Sequence, residues 1–314
     1  MGLTHITVRK RNKLEIMKLS RLVALSLCCI LALGACKKQA GNKRYDKKEE
    51  KKEEPTPSGT ASVTVMSFNI RHTGEASDTG DKAWDKRKSA VVAAIKDQDP
   101  DLIGFQECTN EQANYLAAEL NAYGFYLPGN NKCIAWKKAK MGEHASQQGF
   151  YYVTDKAPIS KPSAGWDGDT RATAWVKVTE KTTSIPVFFF CTHLSVSGRT
   201  ARIEGAKLNV DQMKMIAGSN STQFIVGDMN TNEDACHDNF KTYLSDARAL
   251  SPETDYKGTY NGWKPSSTSI IDYIYYKNIS SPLKYATVTN ENYGVTFVSD
   301  HYPIIFKCEI KAAE

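Results

Sequence analysis

Pro100-Asp101-Leu102-Ile103-Gly104-Phe105-Gln106-Glu107 reads as a turn, a short apolar run and a carboxylate. The Asp99-Pro100 step opens the turn, because proline keeps the residue before it out of the helical region. Asp101–Gln106 then reads as a short apolar strand, too short for a helix and of the kind a sheet covers on both faces. Helical patterns flank it. Ala83–Lys96 gathers Ala90, Val91, Ala94 and Ile95 on one face, and Asn110–Leu120 follows with Thr109 or Asn110 as its cap. A buried strand between two amphipathic helices predicts a sheet with helices laid over it.

Working outward, Ser62–Arg71 reads as the preceding strand. Strand patterns recur at Lys132–Trp136, Phe150–Val153, Ala172–Val178, Val187–Thr192, Gln223–Gly227, Ile270–Tyr276 and Ile304–Ile310, with a helix at Arg202–Ala217. No internal repeat is present, and the alternation predicts one mixed α/β domain over residues 60–314. Asn69, Glu107, His193, Asp228, Asn230 and His301 all stand at or just past the end of an apolar strand. One such residue is ordinarily a turn former or a cap. Six of them imply that these strand ends face a cleft.

The segments that carry these residues resemble the endonuclease/exonuclease/phosphatase superfamily in content and order. They are Met66-Ser67-Phe68-Asn69-Ile70-Arg71, the stretch ending at Glu107, Cys191-Thr192-His193-Leu194, Val226-Gly227-Asp228-Met229-Asn230, Ile271-Asp272-Tyr273-Ile274 and Ser299-Asp300-His301-Tyr302-Pro303-Ile304. The resemblance implies a four-layered α/β-sandwich: two mixed β-sheets packed face to face, with helices on the outer faces. It also implies hydrolysis of a phosphate ester with Mg²⁺ or Mn²⁺, a diester before a monoester, by a monomer with no obligate protein partner. By the same resemblance Glu107 is the main metal carboxylate, Asp300 a second one, and Asn69 sits beside the metal, contacting metal-bound water or phosphate. Asp228 orients or deprotonates the attacking water, Asn230 steers Asp228 and the phosphate, Asp272 holds His301, and His193 stabilises the phosphate. Hard oxygen ligands suit such ions, and a carboxylate beside an imidazole favours its protonated form. Arg171, in Thr170-Arg171-Ala172, is a further phosphate-binding candidate. Trp263, in Asn261-Gly262-Trp263, either stacks on a substrate ring or covers the core. Departures accompany the match. Arg71 stands where abasic-site endonucleases carry a second acidic residue, and Ile270 stands where nucleases commonly carry arginine.

Charge and the leader complete the reading. Residues 1–57 hold 14 Lys/Arg against 6 Asp/Glu, a balance of +8, while the remainder holds 27 against 29, a balance of −2. The basicity thus belongs to the front of the chain, and the near-neutral body leans away from a duplex nuclease. Lys10, Arg11, Lys13, Lys18 and Arg21 precede the apolar run Leu22–Leu33, as in an export signal. Leu33-Gly34-Ala35-Cys36 resembles the lipobox of bacterial lipoproteins, which implies removal of residues 1–35 and a lipid on Cys36. Translation from Met17 would give a more typical leader. Residues 36–59, rich in Lys and Glu, are expected to be a solvated tether. The implied location is the bacterial cell envelope, with the domain facing the periplasm or exterior. Cys108, Cys133, Cys191, Cys236 and Cys308 have no spacing typical of a zinc site, and their pairing is left open. A rival reading is a lipid-anchored binding module that has lost catalysis. The complete polar set argues against it, since lost activity leaves gaps.

Overall fold

Two β-α-β crossovers organise the molecule. In the first, β1 (Thr60–Asn69) runs through α1 (Trp84–Gln98) into β2 (Leu102–Gln106), which pairs parallel to β1. In the second, β7 (Pro186–His193) runs through α3 (Arg199–Ala217) into β8 (Thr222–Asp228), again parallel. The other strands are antiparallel to their neighbours. They are β3 (Tyr123–Tyr126), β4 (Lys132–Lys137), β5 (Met141–Tyr152), β6 (Ala172–Glu180), β9 (Ser245–Asp246), β10 (Asp272–Lys277), β11 (Ser281–Thr287) and β12 (Ile304–Lys311). One sheet has the order β11-β12-β1-β2-β4-β3 and the other β5-β6-β7-β8-β10-β9. The helices α2 (Asn110–Glu119), α4 (Asp234–Lys241) and α5 (Ala247–Leu250) complete the fold. This computed structural model describes residues 55–265, 269–289 and 293–312, which belong to one compact unit. The leader, Cys36 and most of the linker lie outside the described residues.

The strand period of two sorts the side chains into layers. From β1, Val63 and Val65 face the second sheet, where they meet a core including Val176, Phe189, Phe224 and Phe306. Met66 and Phe68 face the other way, onto Ala90, Val91 and Ile95 of α1 and Leu116 of α2. On the second sheet, Phe190 and Ile225 turn outward to Ala206, Val210 and Met213 of α3 and Phe240 of α4. The result is a helix–sheet–sheet–helix sandwich of four layers. Gly104 sets how closely the sheets approach at its position. A Cβ there would lie 2.3 Å from Val226 Cγ2 and 3.1 Å from Cys191 Sγ.

Local signals explain the element ends. Asp99 closes α1 in the left-handed region (φ 47°) just before Pro100. Thr109 caps α2 in a reciprocal box with Gln112. Several boundaries differ from the expected ones. The strand expected at Phe150–Val153 is the tail of the longer β5, whose irregular register between Glu143 and Gln148 interrupts its pattern. β10 begins at Asp272 and not at Ile270. β3, β9, β11, α4 and α5 were not foreseen. β11 contains Pro282 and Lys284 and lies at a sheet edge, where such residues are tolerated and blur the pattern.

Candidate active site

Because both crossovers run the same way within the sandwich, the carboxyl ends of β1, β2, β7 and β8 come to one edge. Register then aligns the polar residues. Across the second sheet, His193 of β7 and Asp272 of β10 each pair with Asp228 of β8, so three polar side chains form one row. In the first sheet, Asn69 pairs with Gln106, and Glu107 follows in the left-handed region at φ 56°. Arg71 (φ 56°) and Asn230 (φ 53°) share that conformation. Such residues cost about 1–3 kcal/mol each and persist where surrounding contacts impose them.

The two sheets meet through Asn69. Its Nδ2 donates to Asp228 Oδ2 at 3.1 Å and to Glu107 Oε1 at 3.3 Å. Asp228 Oδ1 accepts from the Asn230 N–H at 2.8 Å, and the Asn230 side chain donates to the Leu194 carbonyl. His301 Nδ1 donates to Asp272 Oδ2 at 2.9 Å, while its Nε2 lies 3.6 Å from Asp228 Oδ2. His193 stands on the other side, its Nε2 3.5 Å from the same oxygen. Its Nδ1 is 3.4 Å from Arg171 Nη1. Arginine only donates, so His193 Nδ1 accepts and its proton sits on Nε2, pointing at Asp228. Asp300 lies beside Arg71, with Nη1 to Oδ2 at 3.7 Å, and its carbonyl accepts from the Asn261 and Gly262 N–H groups.

Burial and neighbouring charge divide these groups. Burial alone pulls the His301 imidazole down, but Asp272 and Asp228 outweigh it and raise it to about 10. Burial, reinforced by Arg171 and Lys132, pulls His193 well below its ordinary value, so this ring is neutral. Burial lifts Asp228 to about 7 against the pull of His301. Burial also lifts Asp300, to which Glu107 adds. Glu107 is held low despite its burial, because it accepts from the His72 N–H and the Asn69 amide. One imidazolium and one neutral imidazole therefore flank a single carboxylate.

Two sets of groups suggest a cation. Asp228, Asp272 and His301 offer ligand atoms within 4.8 Å of one another. The Asp272–His301 hydrogen bond and the proton on His301 already occupy that set, which therefore reads as a proton-holding relay. Glu107 and Asp300 instead offer hard carboxylate oxygens, each raising the cost of the other's charge. Their chemistry fits a divalent ion that takes oxygen ligands.

Sequence reasoning brought Asn69, Glu107, His193, Asp228, Asn230, Asp272, Asp300 and His301 to this edge, with Arg171 beside His193. Trp263 is elsewhere on the wall. Its half-buried ring lies 5.2 Å from the Arg87 guanidinium and 6.5 Å from Phe297. Four neighbours were not foreseen. Tyr260 sets its ring edgewise to His301 at 4.9 Å, and Ser299 Oγ donates to the Asn69 carbonyl at 2.8 Å. Arg87 is fully buried and donates to the carbonyls of Ile70, Val298, Lys82 and Arg71. Lys132 opens β4 beside a cleft of about 430 Å³ that reaches Glu107, Arg171 and His193.

Comparisons with known proteins agree with this fold. The sequence profile of the Endonuclease/Exonuclease/phosphatase family matches residues 66–301. A protein of that family from Bacteroides thetaiotaomicron superposes with a TM-score of 0.72 at 24% identity, covering 81% of this chain and 99% of its own. A mannosyl-6-phosphatase from the same organism gives 0.69 at 25% identity, covering 78% and 98%. D. rerio TDP2 complexed with a single-strand DNA product gives 0.63 at 14% identity, covering 79% and 98%, a likeness of fold alone. Among curated proteins no relative matches.

Proposed function

Because the chain belongs to the endonuclease/exonuclease/phosphatase family and is a phosphoester hydrolase, we propose that it cleaves a phosphomonoester on a small polar alcohol with the help of a divalent cation. The observation that carries this reading is Asp228 held between an imidazolium and a neutral imidazole, with Glu107 joined to it by two hydrogen bonds through Asn69. Asp228 accepts the proton of the attacking water, while the Asn230 N–H on Oδ1 and the Asn69 amide on Oδ2 fix the orientation of its carboxylate. His301 keeps its proton and turns positive charge toward the phosphoryl oxygens, while Asp272 holds the opposite ring nitrogen. His193 donates from Nε2, and Asn69 orients the Asp228 and Glu107 carboxylates. Mg²⁺ or Mn²⁺, held by Glu107 and Asp300, would supply positive charge to the phosphate and the departing oxygen.

The sequence leaned toward a diester. Two observations move the proposal to a monoester. The neighbour at 25% identity is named for a phosphate on mannose, and the cleft beside Glu107 is cationic. Membrane tethering through Cys36, with the domain outside the cytoplasm, belongs to the same proposal and rests on the lipobox resemblance. An assay of p-nitrophenyl phosphate, bis-p-nitrophenyl phosphate, sugar phosphates, sphingomyelin, RNA and DNA tests it, with Mg²⁺ or Mn²⁺ and with EDTA. The expected result is chelator-sensitive release of phosphate from monoesters. Glu107→Gln should lower that rate about a thousandfold with the fold retained. Turnover that survives EDTA would overturn the cation, and cleavage of diesters alone would restore the earlier expectation.

A further inference from the structure

Lys132 is only 4% exposed, yet it forms no ion pair with any described carboxylate. Among the described residues its ammonium makes one hydrogen bond, a 3.4 Å contact to the Asn130 carbonyl. Burial, with Arg171 adding to it, pulls its ammonium down to about 8 even though Glu107 and Asp228 act from a distance to raise it. A dehydrated cation without a counter-charge is costly, and a fold retains one where something else completes it. Two residues earlier, the Asn130 side chain shows the same incompleteness. Its Nδ2 and Oδ1 are both shielded from water and both lack a hydrogen-bond partner in the protein. Native structures rarely leave a buried carboxamide wholly unpaired.

Topology explains why these groups lie next to the chemistry. Lys132 pairs in register with Gln106, the residue before Glu107, and the Cys108 N–H donates to the Asn131 carbonyl. The turn that carries Asn130 and Lys132 is thus fastened to the strand end that carries Glu107. The opposite wall, from the second sheet, presents Arg171 and His193. Arg171 is tied to Asp169 by its Nε and leaves its Nη1 against His193. The cleft therefore offers an ammonium, a guanidinium and an amide N–H to a single occupant.

We propose that Asn130 and Lys132, facing Arg171 across this cleft, form an oxyanion subsite that selects substrates carrying more negative charge than a diester. Resting on the phosphoesterase reading above, it deepens that reading by naming the charge the enzyme demands. The oxyanion is either the second charge of the terminal phosphate being cleaved or a second phosphate on the same substrate. Both would be held by the same donors.

The test uses the full chain and four forms: wild type, Lys132→Met, Lys132→Arg and Asn130→Ala. Orthophosphate affinity is measured by calorimetry. kcat and KM are measured on p-nitrophenyl phosphate, bis-p-nitrophenyl phosphate, a hexose monophosphate and a hexose bisphosphate. Lys132→Met should weaken orthophosphate binding about tenfold or more and raise KM on monoesters by a similar factor. The diester should change less than about threefold, and arginine should restore most of the loss. Asn130→Ala should act in the same direction with a smaller factor. A loss confined to the bisphosphate would assign the subsite to a second phosphate, and a loss on every monoester to the phosphate being cleaved. Lys132→Met should also melt no lower than wild type, because it removes an unpaired buried charge. Equal losses on mono- and diesters, unchanged orthophosphate affinity, or a variant that no longer folds would each overturn the proposal. Wild type that turns over no ester would instead sink the functional reading, and the calorimetry would still judge the subsite.

Discussion

Asp228 has an imidazole on either side, and the two rings differ in charge because their far nitrogens differ in company. His301 Nδ1 meets a carboxylate, and His193 Nδ1 meets a guanidinium. Replacing Asp228 by Asn should cut turnover by about 10²–10⁴-fold, as loss of a general base does, with KM little changed. A kcat within tenfold of wild type would remove Asp228 from that role. The same residues bear on stability in metal-stripped protein. His301 is raised from 6.5 to about 10, so its stabilising contribution is complete below 6.5 and is lost as pH rises toward 10. Asp272→Asn removes the larger electrostatic support and should flatten that fall. Thermal melts in EDTA between pH 6 and 10 check this, and parallel curves for the two proteins would contradict it. At this scale the sequence was informative wherever a polar residue ended an apolar strand, because such a position has few structural uses. It was silent on Lys132, since a lysine opening a strand ordinarily reaches water. Only the tertiary packing of Asn130, Arg171 and His193 around it gives its charge significance.

Among the elements, α1 does more than cover a sheet. Its Arg87 stacks between Trp84 at 5.7 Å and Trp263 at 5.2 Å and binds carbonyls just past β1 and just before Asp300. It thereby fixes the spacing between the segment that follows Asn69 and the one that delivers Asp300 and His301. Arg87→Met would strand the Ile70 and Val298 carbonyls, at about 1–3 kcal/mol each. A melting point lowered by several degrees together with a reduced kcat is expected. A variant as stable and active as wild type would show the clamp to be dispensable. Sequence periodicity could not reveal this residue, because an arginine on an amphipathic helix reads as its wet face. The central strands were legible because strands buried on both faces leave long apolar runs. β3, β9 and β11 were not, being short or marginal and relying on neighbours for their identity.

For the molecule as a whole, the described cysteines are all free and buried. Burial raises the thiols of Cys133, Cys191, Cys236 and Cys308. In the native protein these four and Cys108 should resist a thiol reagent mapped by mass spectrometry, and all five should react in denaturant. Rapid native labelling of any of them would mean that the sandwich opens locally. The site is divided between the two sheets: Asn69 and Glu107 come from one, and His193, Asp228 and Asp272 from the other. Neither sheet alone holds a working set, and the boundary between them is filled by contacts such as Phe224 against Phe306. Turnover is therefore a gauge of how the two sheets are aligned. Phe224→Leu, in the packing between them, should lower kcat before it lowers helix content, and a denaturant titration followed by activity should give way no later than one followed by fluorescence. An enzyme built across such a joint monitors its own assembly, and a chain whose halves have not yet met is chemically inert.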